Sequence, residues 1–95
     1  MHARVARFEG ASAEAIREFT DLVAGSSGPP EGVPSTGISV LFDAASGSGL
    51  VIGYFDNEED LRAGDAALRA MDMPVSAMPS PTSVEMYEVA VERRA

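Results

Sequence analysis

Ninety-five residues make one domain, expected to span residues 1–95, and a chain this short has only a thin core of its own. Its formal net charge of -8, from 15 Asp and Glu against 7 basic residues that are all arginine, excludes nucleic-acid backbones and anionic membranes as partners. With no cysteine there is neither a disulfide framework nor a thiolate metal site, which fits a cytoplasmic protein.

The opening Met1-His2-Ala3-Arg4-Val5-Ala6-Arg7 has no long apolar stretch behind it, so a signal peptide is not expected. No apolar run approaches the ~20 residues of a membrane span.

His2 to Phe8 reads as a short strand with Val5 on one face and Ala6 and Phe8 on the other. Glu9-Gly10-Ala11 breaks it. Ser12 then suits a helix N-cap, with Glu14 in the first turn where the helix dipole favours a carboxylate. From Ala13, the spacing of Ile16, Phe19, Leu22 and Val23 predicts one helical stripe, and Gly25 is expected to end the helix in the left-handed position beyond it. Gly25 to Gly37, rich in Gly, Pro and Ser, is a loop that crosses back over the domain.

Gly37 to Asp43 is the second strand, with Ile38, Val40 and Phe42 on one face and Ser39 and Leu41 on the other. Asp43-Ala44-Ala45-Ser46-Gly47-Ser48 fits a hairpin turn with Gly47 left-handed. Leu50 to Phe55 is the third strand. Leu50, Ile52 and Tyr54 line one face, Val51 and Phe55 the other, so it belongs in the middle of a sheet covered on both sides. Asn57 caps a second helix with Asp60 at its third position. On that helix Leu61, Gly64, Leu68 and Met71 form a stripe, and Gly64 permits a close approach to the sheet. Met71 to Thr82 reads as an irregular loop resting on apolar surface. Ser83 to Glu92 is the last strand, with Tyr87, Val89 and Val91 on one face and Val84 and Met86 on the other, before a frayed Arg93-Arg94-Ala95 tail.

The order β-α-β-β-α-β is the ferredoxin-like, α+β arrangement: a four-stranded antiparallel sheet with two helices on one face. Two helices cover one face only, yet the middle strands are apolar on both. Either a second copy covers the other face through a two-fold axis, or the long loops fold over it. The homodimer is the expected solution.

The run Pro30-Glu31-Gly32-Val33-Pro34, the hairpin at Asp43 to Gly49, and then Tyr54-Phe55-Asp56-Asn57-Glu58-Glu59-Asp60-Leu61 resemble the dimeric α+β-barrel superfamily. The chain is similar in particular to small proteins related to the antibiotic-biosynthesis monooxygenase group. The likeness extends from His2 to Val91. It implies two sheets packed face to face across a dimer, and a pocket in each subunit between the sheet and its helices. In that family an aromatic residue, often Trp, ends the third strand, and Phe55 stands there in this chain. Members that cleave haem, and several quinone-forming oxygenases, use a Trp, a His and an Asn. This chain has no Trp, its one His is His2, and its one Asn is the helix cap Asn57.

No motif commits the chain to a reaction. Glu58, Glu59 and Asp60 are explained as carboxylates at a helix N-terminus. The glycine-rich segments carry no Lys and precede no helix, so they are not phosphate loops. Phe19, Phe42, Tyr54, Phe55 and Tyr87 are the candidate ligand-binding residues, with plain core as the alternative. The methionines Met71, Met73, Met78 and Met86 either cover a ligand or fill gaps. Three readings stay open: binding of a small apolar or aromatic metabolite, a non-catalytic interaction or structural dimer, and cofactor-free monooxygenase-like chemistry. No metal and no cofactor are expected.

Overall fold

The structure, a computed structural model, describes residues 1–71 and 78–94. Elements follow in the expected order: β1 (His2–Phe8), α1 (Ala13–Gly25), β2 (Gly37–Asp43), β3 (Ser48–Phe55), α2 (Glu58–Ala70) and β4 (Ser83–Glu88). The strands form one antiparallel sheet in the order β2-β3-β1-β4, so β3 and β1 are central. No helix among the described residues is long and apolar enough to cross a membrane.

Local chemistry sets the helix starts. The Ser12 hydroxyl accepts a hydrogen bond from the Ala15 N–H at 3.1 Å, and Asn57 Oδ1 accepts one from the Asp60 N–H at 2.7 Å. Each satisfies a backbone donor that the first helical turn leaves unpaired. The end of α1 differs from expectation. Gly25 stays helical, without a positive φ. Ser26, in extended conformation, donates to the Val23 carbonyl from its N–H at 3.2 Å and from its hydroxyl at 3.1 Å. With that carbonyl satisfied, no left-handed residue is needed.

The four-residue turn between β2 and β3 does use a left-handed glycine, Gly47 at φ 72°. Its N–H bonds the Asp43 carbonyl at 2.9 Å, and its own carbonyl accepts from the Ala11 N–H at 2.9 Å. A Cβ at Gly47 would stand 2.5 Å from the Ala11 carbonyl oxygen. The hairpin tip is thereby fastened to the connection between β1 and α1.

The last strand is shorter than its pattern predicts. β1 begins at His2, which stands opposite Glu88, so β4 has no strand to pair with beyond that point. Val89 makes one further bond, from its N–H to the Met1 carbonyl at 2.9 Å. Val91, expected on the face of Tyr87, has left the sheet and is 83% exposed.

Register assigns every strand residue to a face. Ala6, Phe8, Val40, Phe42, Val51, Phe55 and Val84 point to the helices. Val5, Leu41, Leu50, Ile52, Tyr54 and Tyr87 point the other way. On the helix side, Ala6, Phe8, Ala11, Ala15, Phe19 and Met78 form one core cluster, and Val33, Phe55 and Leu61 form a second. α1 turns Ala15 and Phe19 inward, with Ile16 and Val23 beside them, while Leu22 is rotated out to 46% exposure. Met71, expected on the apolar stripe of α2, lies past the helix end and is exposed.

The loop between α1 and β2 places Val33 against Phe55 and Leu61, on the helix side. Met78, from the connection between α2 and β4, is buried on that same side. Neither Val33 nor Met78 lies on the opposite face. Met73 and Pro74 of that connection, and Ala95 of the tail, lie outside the described residues.

Candidate functional site

The helix side of the sheet is built of cross-strand rows. One row, Phe42, Gly49 and Phe8, lies under α1, where the rings of Phe19 and Phe42 meet edge to face with centroids 6.5 Å apart. At the other end, Phe55 is the most deeply buried large side chain of the chain's described part, at 1% exposure. Its ring fits beneath α2 because position 64 is glycine. A Cβ there would come within 2.7 Å of the ring's Cζ and closer still to Cε1. The same ring reaches over Gly53 in β3.

Between the two clusters runs a third row: Ile38, Gly53, Arg4 and Met86. It is apolar and open at its two ends, where Ile38 is 50% and Met86 42% exposed, and charged in its middle. Arg4 Nε donates to Asp65 Oδ1 of α2 at 2.9 Å, with side-chain exposures of 11% and 15%. Arg69, one turn along α2, donates to the same carboxylate at 2.9 Å and 3.0 Å. Burial pushes the Asp65 carboxyl up, but the hydrogen bonds and positive charges of Arg4 and Arg69 outweigh it and hold the group below its ordinary value.

At the strand ends, His2, Leu61, Met86, Tyr87 and Glu88 border an open groove of about 350 Å³, together with the exposed pair Glu58–Arg62. Hydrogen bonding from Arg62, helped by its charge, holds the Glu58 carboxyl down. A smaller groove of about 230 Å³ lies between Tyr54, Ser39 and the C-terminal residues Glu92 and Arg94. Among the described residues no group of three or more His, Asp or Glu side chains is placed to hold a metal ion.

The five aromatic candidates divide between the two faces. Phe19, Phe42 and Phe55 are on the helix side, with Phe19 and Phe42 together and Phe55 in the separate cluster. Tyr54 and Tyr87 stand on the opposite face. The Tyr54 hydroxyl is 3.4 Å from that of Ser39, and the Tyr87 hydroxyl donates to Glu85. That bond, backed by burial and the Glu85 charge, raises the Tyr87 phenol. Sequence reasoning passed over Arg4, Asp65 and Arg69. The available signal was Asp65 and Arg69 four apart on the polar flank of α2. Arg4's part in it depends on how β1 meets α2, which no local spacing encodes.

No family model matches the chain. No curated protein matches it either. Two solved structures share its fold. One is the haem-degrader MhuD from Mycobacterium tuberculosis with two haems bound in its active site, at 14% identity and a TM-score of 0.66, over 99% of this chain and 100% of that one. The other is the R26S mutant of MhuD with two manganese protoporphyrin IX molecules bound per active site, at 18% identity and a TM-score of 0.65, over 100% of both chains.

Proposed function

We propose that this chain is a two-fold homodimer that binds a small apolar or aromatic molecule on the helix side of each sheet. The observation that carries the reading is the two-sided apolar sheet. Val5, Leu41, Leu50, Ile52 and Tyr54 line the face away from the helices, no described helix packs over it, and the C-terminal residues Glu92 and Arg94 border it at Tyr54 and Ser39. Leu41 is 49% exposed and Tyr87 51%. Fully burying side chains of this size stabilises by ~1.5–3 kcal/mol each, and a two-fold axis brings the same face of a second copy onto them. On this reading Tyr54 and Tyr87 belong to the dimer contact. The ligand takes the helix side, beside the row from Ile38 to Met86, flanked by Phe55 and by the pair Phe19 and Phe42.

The structural neighbours that hold porphyrins support a small-molecule role for the fold. The residues of this chain do not match a porphyrin. The Phe55 ring occupies the space between Gly53 and Gly64, and Phe8, Phe19 and Met78 fill the other end. The one histidine, His2, borders an open groove beside Glu58 and Glu88. A smaller ligand suits this interior.

Two measurements test the proposal. Light scattering at micromolar concentration is expected to give twice the 9.9 kDa chain mass. A thermal-shift screen of small aromatic compounds is expected to return stabilising hits, and a monomer with no hits would overturn it.

A further inference from the structure

Arg4 points into the helix side of the sheet with most of its side chain covered, yet among the described residues it uses only part of its hydrogen-bonding capacity. Its Nε meets Asp65 at 2.9 Å. A guanidinium carries five N–H donors in a flat fork, four of them on the two Nη nitrogens. Among the described residues none of those four has an acceptor. No buried side-chain nitrogen or oxygen among the described residues lacks a partner, and the Arg4 side chain as a whole keeps 11% exposure.

Arg69 approaches Asp65 in the same way, through Nε. Two guanidinium groups therefore flank one carboxylate by their sides, in place of the stronger arrangement in which a fork grips both oxygens. If this cluster served only to tie α2 to β1, a bidentate grip would do it better. The three side chains leave one net positive charge, inside a chain whose net charge is -8. Beside Arg4 on the same face stands Met86, its cross-strand partner, a large apolar side chain left 42% exposed. Unengaged planar donors next to uncovered apolar surface form a site with two chemical halves.

We infer that Arg4 binds an anion, and that the ligand is a small organic acid whose carboxylate takes the Nη fork while its apolar body covers Met86. One fork and one net charge match a carboxylate better than a dianionic phosphate, which Asp65 and the neighbouring Glu88 would repel. The inference rests on the small-molecule reading above and narrows it to a ligand class.

The test uses the full chain, labelled with ¹⁵N and with ¹³C at the methionine methyls, titrated with 3-phenylpropionate and, separately, with its neutral amide, 3-phenylpropanamide. NMR follows the Arg4 Nε–H and the Met86 methyl. The acid is expected to shift both signals and to bind about tenfold or more tightly than the amide. Arg4→Gln removes that preference, while Arg69→Gln, which keeps the Arg4 fork, retains it. Should Arg4→Gln fail to fold, Arg4→Met serves: it keeps an unbranched stem, has neither charge nor donor, and is expected to lose the preference. Equal binding of acid and amide would overturn the anion site and leave the apolar-ligand reading standing. No response to either compound, or a preference for the acid that survives in the Arg4 variant, would also overturn it.

Discussion

Phe55 and Gly64 are one structural unit made of two residues. The ring is buried and fills the space that a side chain on α2 would need. Phe55→Ala is expected to cost ~3–5 kcal/mol, read from the denaturant midpoint. Gly64→Ala sets a helix-propensity gain of about 1 kcal/mol against overpacking of ~1–3 kcal/mol, and the ring has nowhere exposed to go, so a net loss is expected. In the Phe55→Ala background the same substitution is expected to turn neutral or stabilising. Asp65 gives a pH signature. Its folded carboxyl lies below the ordinary 3.8, so the unfolded chain takes up the proton first. Its contribution is complete above that value and is lost as pH falls through the folded pKa. The stability gap between the native chain and Asp65→Asn is therefore expected to narrow on acidification from about pH 5 to about pH 3, measured by denaturant titration.

At the scale of elements, the caps and the pairing partners set the lengths. α2 is capped by Asn57, two residues after Phe55, so the cap fixes where the helix begins relative to the core it covers. Asn57→Ala is expected to cost about 1 kcal/mol, with the loss visible in the denaturant midpoint. The ion pair Glu58–Arg62 on the same turn is solvent-exposed and adds little. Helix starts were legible in the sequence because a Ser or Asn side chain acts within three residues. The extent of β4 was not: alternating Val89 and Val91 continue the strand pattern, but the neighbour they need ends at His2. α1 shows the same limit. Its periodicity identifies the helix, whereas which flank is buried follows from Ala15 and Phe19 meeting Phe8 and Phe42.

For the molecule as a whole, the sheet with two apolar faces is the governing fact. One copy supplies helices to one side, and the described loops add Val33 and Met78 to that side as well. The central position of Ile52 on the other face makes it the place to test pairing. Ile52→Asp puts a charge among Val5, Leu50 and Tyr54 and is expected to convert a dimer into a 9.9 kDa monomer by light scattering, with β-sheet circular dichroism retained. The acidic surface suits a partner that meets this face by apolar contact and not by charge.

The sequence by itself determined the element order, both helix caps, the left-handed Gly47 and the alternation of residues between two faces within each strand. Each of these depends on neighbours within a few positions or on the strict period of two in a strand. Only the tertiary structure decided that the five aromatics part company across the sheet, that Phe55 seats against Gly64, and that Arg4 reaches Asp65 across 61 positions. Those contacts join residues far apart in the chain, and their geometry is set by how closely a helix can approach a sheet.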